Sequence, residues 1–415
     1  MSHVIVIGGG AAGMMAAIAS ARNGNSVKLL EKNEKLGKKI YITGKGRCNL
    51  TNACETRELF GNVTVNSKFL HSAFEGFDNE ETIRFFNSIG LKTKVERGLR
   101  VFPESDKSSD VIAVLKNELQ RLNVSVLLNA EVQSLEASGD KHIVTYFSKN
   151  ENRKKTEECD ACIVATGGLS YPSTGSTGDG YRFAKHFGHT VTPLSPSLVA
   201  LVTKEDVSDL AGLALKNVSI TLENEKGKTI YKETGEMLFT HTGISGPLIL
   251  SASAYFAEAL RYEKPVPRLF LDLKPGMSLD ELDSRIRKDF EKELNKDFGN
   301  SLDMLLPKSL IPKIVSLSGT DPSKKVNSVT KEERRKLAET LKKTEFHITG
   351  TGGYPEAVIT KGGINVKEID PKTMGSKLSP GLYFAGEVLD VDAFTGGFNL
   401  QIAWSTGYAA GQAIH

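Results

Sequence analysis

The chain has 415 residues, enough for two or three domains with cores of their own. Its 39% hydrophobic and 25% charged residues are those of a soluble globular protein, and a formal charge of +3 gives no compositional argument for nucleic acid or an anionic membrane. No apolar run approaches the roughly 18 residues of a spanning helix, four cysteines are too few for a disulfide framework, and the first strand starts too near residue 1 for a signal peptide. The expectation is a reduced, cytoplasmic protein.

The chain opens on Val-Ile-Val-Ile at 4–7, a continuous apolar run suited to a parallel strand buried on both faces. Gly8, Gly10 and Gly13 follow as G-x-G-x-x-G, residues 11–21 read as a helix of small residues, and a second strand at 26–30 ends in Glu31. Gly8 makes the tight turn, Gly10 admits a pyrophosphate to the backbone, and Gly13 lets helix and strand pack closely. The helix N-terminus, with Ala11 and Ala12, faces the phosphates. Glu31 stands where a carboxylate accepts from a ribose hydroxyl, and Lys32 is placed to flank a base. A dinucleotide site is expected here.

Residues 32–52 gather Lys38, Lys39, Lys45 and Arg47 with Gly37, Gly44, Gly46, Thr43, Asn49 and Thr51. Such a segment can wrap a phosphorylated ligand; the alternative is a solvated basic loop. Residues 67–98 read as helical with a turn, 98–103 as a hairpin arm and 110–122 as a helix. Strands are expected at 124–128, from 130 and at 143–147, with 149–158 as a charged turn. Residues 160–165 are another buried strand, closing in Ala165-Thr166-Gly167-Gly168 and a glycine-rich run to Tyr181. Cys159 and Cys162 have redox spacing, but the second lies inside this strand, which argues against a reactive dithiol.

From 191 to about 344 the rhythm changes to an inserted domain, β-rich over 191–270 with antiparallel alternation, then helical over 271–344. The strand pattern of the first domain (1–190) returns over 345–415, with a last sheet strand at 381–387 and a closing Ala- and Gly-rich helix at 402–413.

The 8–13 glycines, the 37–52 loop ending Gly-Arg-Cys-Asn-Leu-Thr-Asn, the 165–181 run, and Gly386-Glu387 with Thr-Gly-Gly-Phe-Asn-Leu-Gln at 395–401 together resemble one family across the whole chain. It is the BaiN-like or aminoacetone-oxidase-like group of FAD-dependent oxidoreductases. Thr177-Gly-Asp-Gly more distantly resembles the glycine loop of the fumarate reductase group. The resemblance implies an α/β, Rossmann-like FAD-binding domain of glutathione-reductase or fumarate-reductase type, split by the insert. A physical reason agrees: a long, resident flavin needs a second glycine-rich junction far along the chain, and a nicotinamide does not.

On that reading Gly386 and Glu387 contact the ribityl or pyrophosphate. The backbone from Gly397 through Phe398, Asn399, Leu400 and Gln401 faces the pyrimidine end of the flavin; the alternative is a plain helix cap by Asn399 or Thr395. Lys38, Thr43, Gly44, Arg47, Cys48 and Asn49 lie beside the cofactor, Cys48 as a small packing residue rather than an exchanging thiol. Ala165, Thr166 and Gly167 pass the adenosine half, where the resemblance also places Val132. Asp392, like Asp390, either binds the ribityl chain or caps a turn. No metal site is expected.

Candidates for catalysis are His241 in the insert, Tyr171 and Arg100. Arg100 either holds a substrate carboxylate or pairs with Glu96 or Glu104, and Arg97 is a weaker candidate. The expected chemistry is hydride transfer between flavin N5 and a small organic substrate held under the insert: reduction of a conjugated C=C bond or oxidation of an amine. NAD(P)H or oxygen completes the cycle. Two rivals are an RNA-modifying flavoprotein and a non-catalytic redox sensor. The basic run Lys324, Lys325, Lys331, Arg334, Arg335, Lys336, Lys342 and Lys343 would serve the first, but Glu332, Glu333 and Glu339 interrupt it without aromatic residues, as on a solvated helix. No nucleic-acid or membrane partner is therefore expected, and the oligomeric state stays open.

Overall fold

The computed structural model describes residues 1–262 and 264–415, and the chain divides into two compact units, 1–197 with 354–415, and 198–353. The boundaries fall later than 190 and 344. Ser195–Ser197 pairs with Ile359–Lys361 in the first unit, and Ile348–Thr351 pairs with Leu201–Thr203 in the second. Strand pairing, invisible in composition, sets both edges.

The first unit is built on β1 (His3–Ile7), whose side chains are at most partly exposed at His3 and buried from Val4 on. β2 (Ser26–Leu30) and Ala161–Val164 flank it in parallel, with Val4 opposite both Val27 and Ala161. Leu382–Phe384 and Ser125–Leu127 complete a five-stranded parallel sheet. α1 (Ala11–Arg22) follows β1, and the closing helix Phe398–Gln412 lies along it. Their approach is close: a Cβ on Gly407 would stand 2.4 Å from the Ala12 carbonyl oxygen, and one on Gly411 2.4 Å from that of Ala16. The two ends of the chain thus build one wall together.

A three-stranded antiparallel sheet, Ala130–Ser138, Lys141–Ser148 and Arg153–Cys159, belongs to the same unit. Its last strand occupies residues expected as a turn. The charges there, Lys154, Lys155, Glu157 and Glu158, sit on an edge strand, where charge guards against further pairing. Residues 67–98 carry helices His71–Gly76 and Asn79–Ser88, but Thr93–Glu96 is a strand paired with Arg100–Pro103.

The second unit holds a seven-stranded sheet whose described pairings are antiparallel. Its β-rich part contains the helix Pro247–Arg261, and its helical part ends in the strand Thr344–Phe346. Leu279–Phe290 and Lys331–Lys342 each start on a capping box, Ser278 with Glu281 and Thr330 with Glu333. Each unit has its own hydrophobic core. Among the described residues no helix is long and apolar enough to cross a membrane.

Candidate functional site

A cleft opens in the first unit where β1 hands over to α1, beside the end of Ala161–Val164. It encloses about 1260 Å3 of space between protein atoms, its open mouth included, and runs from the first glycine turn to the start of the last helix. Strand order changes direction at β1, so the cleft sits at a switch point beyond the strands' carboxyl ends, where open α/β sheets bind ligands.

The three glycines have distinct surroundings. Gly8 has φ +107°, and a Cβ there would stand 2.5 Å from the Ala165 carbonyl oxygen. At Gly13 it would stand 1.8 Å from the Gly8 carbonyl oxygen, so Gly13 lies behind the turn and not on the cleft. At Gly10 it would meet nothing within 4 Å, because that side faces the cleft. Gly10 also precedes α1 without any side-chain cap, so the first N–H groups of the helix are left for a ligand.

Ala11, Ala12, Lys32, Lys38, Thr43 and Val132 line the same cleft, as do Ala165, Thr166 and Gly167. Glu31 lines it too, and its carboxylate also braces the loop: Oε2 accepts from the Gly9 N–H at 2.7 Å, and Oε1 from the Asn33 N–H at 2.8 Å. Lys32 reaches Asp179 at 2.7 Å and so ties the first strand pair to the 165–181 run. Thr43 turns its hydroxyl to the Lys39 carbonyl at 2.7 Å.

At the other end Gly386, Glu387, Asn399 and Leu400 line the cleft. Glu387 is held in a network that local sequence does not announce. Lys39 Nζ donates to it at 2.6 Å and to Ser170 Oγ at 2.6 Å, while Ser170 Oγ and the Thr360 N–H donate to Glu387 Oε1 at 2.5 and 2.9 Å. Asn399 pins the preceding turn through both atoms of its amide, to Ala393 N–H at 2.9 Å and Ala393 C=O at 2.7 Å.

Other candidates lie elsewhere. Arg47 is turned from the cleft by Glu96 at 2.5 Å and by Asp106, and stacks over the Phe102 ring. Cys48 is fully buried, and burial pushes its thiol up to about 12, so it is no thiolate at neutral pH. Gly44 and Asn49 are likewise off the cleft surface; Gly44 has φ +59° and packs by Asn49 and Phe102. Asp392 is fully buried, is not among the residues lining the cleft, and pairs with Lys361 at 3.4 Å and Thr64 Oγ1 at 2.8 Å. Burial raises its pKa, opposed by the Lys361 charge. Gly397, Phe398 and Gln401 support the helix start from behind: Gly397 crowds Thr51, Phe398 packs against Gly396, and Gln401 Oε1 accepts from Thr51 Oγ1 at 2.6 Å.

The catalytic candidates lie on separate elements, none of them among the residues lining the cleft. Tyr171 is half-buried with φ +52°, its N–H on the Tyr354 carbonyl at 3.0 Å. His241 is an exposed residue of the second unit. Arg100 is exposed on a hairpin and pairs with neither Glu96 nor Glu104. Cys159 and Cys162 are both buried free thiols, and burial raises the second. Sequence reasoning missed Ser170, Thr360 and Lys361: Ser170 meets Lys39 and Glu387, 131 and 217 residues away, Thr360 meets Glu387 27 residues on, and Lys361 meets Asp392 31 residues on. No cluster of metal-ligating side chains occurs among the described residues.

The residues present fit a dinucleotide. The cradle at Gly10 is open, a capless helix start faces it, and the buried Thr166 Oγ1 on the cleft has no protein partner. With two glycine-rich junctions opening on one cleft of a parallel sheet, the protein is an FAD-dependent oxidoreductase. Residues 2–413 match the profile described as HI0933-like protein Rossmann domain, and the chain belongs to that family. It is 34% identical to a 3-dehydro-bile acid delta(4,6)-reductase of Clostridium scindens, over 100% of this chain and 99% of that one. It is 33% identical to a ribosomal RNA dihydrouridine synthase of Haemophilus influenzae, over 100% and 98%. The solved 3-ketosteroid delta1-dehydrogenase from Sterolibacterium denitrificans shares the fold, with TM-score 0.52, 14% identity, and 99% and 98% of the two chains covered.

Proposed function

We propose that this protein reduces a carbon–carbon double bond conjugated to a carbonyl in a small organic substrate, with NAD(P)H as the source of electrons. The observation that carries it is the joining of both glycine-rich junctions on one cleft, with Asn399 and Leu400 placing a helix N-terminus at the far end. Bound FAD would supply the hydride to the substrate's β-carbon. A helix N-terminus favours the negative charge of the reduced cofactor, and Gly10 and the start of α1 would hold its pyrophosphate. The names of the two full-length relatives point the same way. Read as chemistry, saturating the Δ4,6 bonds of a 3-dehydro bile acid and making dihydrouridine both reduce a C=C conjugated to a carbonyl.

The second of those names favours another reading, a substrate base within RNA. The basic run of the second unit lends it little support. Lys324 pairs with Glu333, Lys325 with Asp297, Arg334 with Asp283, Lys342 with Asp272 and Lys343 with Glu223, so its charge is largely met within the protein. The test is product analysis. Holoprotein supplied with NADH or NADPH under anaerobic conditions is given enones, amines or uridine-containing RNA, and the products are read by mass spectrometry. A saturated ketone two mass units heavier than its enone supports the proposal. Turnover of amines alone, or of RNA alone, would replace it.

A further inference from the structure

Lys39 and Glu387 both line the cleft, 348 residues apart, and Lys39 Nζ donates to Glu387 Oε2 at 2.6 Å. Each is the other's only ion-pair partner among the described residues. The other charges on the cleft lining are met differently. Lys32 pairs with Asp179 at 2.7 Å, Glu31 accepts from the Gly9 and Asn33 N–H groups, and Lys38 lies 3.6 Å from the exposed Glu34. The Lys39 and Glu387 side chains are 27% and 12% exposed, so solvent screens them only in part, and a cofactor in the cleft would cover them further. Gly386, the neighbour of Glu387, packs on the first turn of α1, where a Cβ would stand 2.7 Å from Ala12 Cβ. The pair therefore lies beside the dinucleotide cradle.

The surroundings hold the carboxylate in place without the lysine. Ser170 Oγ and the Thr360 N–H both donate to Glu387 Oε1, at 2.5 and 2.9 Å. Thr360 Oγ1 in turn accepts from the Leu169 and Ser170 N–H groups at 2.8 and 3.0 Å, which fixes the loop that carries the serine. Gly168 admits this arrangement: a Cβ there would stand 2.4 Å from Thr360 Oγ1 and 3.0 Å from Glu387 Oε1. Lys39 Nζ keeps a second acceptor of its own, Ser170 Oγ at 2.6 Å. Either charge can thus be removed while contacts to Ser170 and Thr360 keep the other where it is. Backbone and hydroxyl groups do the holding, and what the ion pair adds is the cancelling of a charge on the cleft wall.

We propose that Lys39 and Glu387 set the reduction potential of the bound flavin, Lys39 cancelling a carboxylate charge that would otherwise oppose reduction. Uptake of two electrons and one proton adds one negative charge to the cofactor. A carboxylate left uncompensated on the cleft wall disfavours that charge, and an uncompensated ammonium favours it. A unit charge about 10 Å away, at an effective dielectric of about 20, shifts such an equilibrium about tenfold. The inference requires bound FAD and no particular substrate, so it stands or falls apart from enone reduction.

The measurement is the flavin potential of the holoprotein, read by anaerobic reduction with dithionite against reference dyes. Lys39→Met should lower the potential and Glu387→Gln should raise it. Each shift should be about tenfold in the equilibrium between oxidised and reduced flavin, or about 30 mV for a two-electron couple. The double variant Lys39→Met/Glu387→Gln should return close to the unaltered value, and Lys39→Arg should keep it. Ser170→Ala changes no charge and should leave the potential unmoved. Thermal unfolding of the flavin-free protein checks the fold, and Lys39→Gln takes the place of Lys39→Met if that variant does not fold. Shifts of the same sign in the two single variants, or shifts of less than about twofold, would overturn the proposal. So would a potential moved as far by Ser170→Ala as by Lys39→Met, because geometry and not charge would then be acting. Loss of FAD from either single variant at saturating cofactor would also overturn it and make the pair a clasp for the cofactor.

Discussion

Gly10→Ala separates the cofactor cradle from the fold that carries it. Gly10 has φ −85° and ψ −166°, extended backbone open to alanine, and its Cβ would touch nothing within 4 Å. The flavin-free protein should therefore keep its stability within about 0.5–1 kcal/mol, and the smaller unfolded-state freedom of alanine pushes toward a gain. The added methyl projects into the cleft, where a pyrophosphate must approach the N–H groups at the start of α1. Losing one or two charge-assisted hydrogen bonds, at about 1.5–3 kcal/mol each, weakens FAD by about 2–5 kcal/mol, or roughly 30- to 4,000-fold. Gly13→Ala is the contrast: a Cβ 1.8 Å from the Gly8 carbonyl must push α1 off β1, and overpacking of this kind costs about 1–3 kcal/mol or more in the flavin-free protein. The assay pairs thermal unfolding of flavin-free protein with an FAD titration followed by fluorescence quenching. The reasoning is refuted if Gly10→Ala binds FAD as the unaltered protein does, or if it lowers the melting temperature as far as Gly13→Ala.

Glu118 lies between Arg121 and Arg22, and these guanidiniums, Arg121 foremost, hold its carboxyl down to about 2 against an ordinary 4.5. Its contribution is present above pH 4.5 and is lost as pH falls from 4.5 toward 2. Glu118→Gln should thus cost about 1–2 kcal/mol at pH 7, limited by the solvent exposure of both arginines, and about a quarter of that at pH 2.5, where the folded carboxyl is still mostly ionised, in denaturant titrations. Asp392→Ala leaves Lys361 buried and unpaired and should cost about 3–5 kcal/mol, whereas Lys361→Met with Asp392→Leu should recover much of that; equal losses in both variants would argue against the ion pair. Cys48→Ala should leave the rate of flavin reduction by NAD(P)H unchanged, since its buried thiol stays protonated; a collapse of that rate without loss of FAD would give the thiol a redox role.

What could be read in the sequence was what backbone geometry demands of particular residues. Gly8 and Gly13 announce a turn and a close helix because only hydrogen fits there, and Gly386 and Gly397 mark the second junction by the same physics: both have positive φ, and a Cβ on Gly397 would stand 2.5 Å from Thr51. Side-chain partnerships were harder to see. Arg47 sits amid the loop that resembles a ligand-binding segment, but Glu96 and Asp106, 49 and 59 residues on, claim it. Asp392 finds Lys361 only once Ile359–Lys361 is laid in place, and Glu387 meets Lys39 across 348 residues. Arg153–Cys159 hid because an edge strand is allowed the charges that usually mark a turn. Arg100 shows the reverse: sequence offered it Glu96 as a partner, and three-dimensional structure gave that partner to Arg47.

Anaerobic stopped-flow absorbance on the NAD(P)H-reduced holoprotein tests the central claim most directly. Mixed with a conjugated enone, the reduced flavin should regain its visible absorbance in a single turnover, with one equivalent of saturated ketone formed per flavin. Return of the absorbance only when air is admitted, with no enone consumed, would contradict the account and make the protein an oxidase.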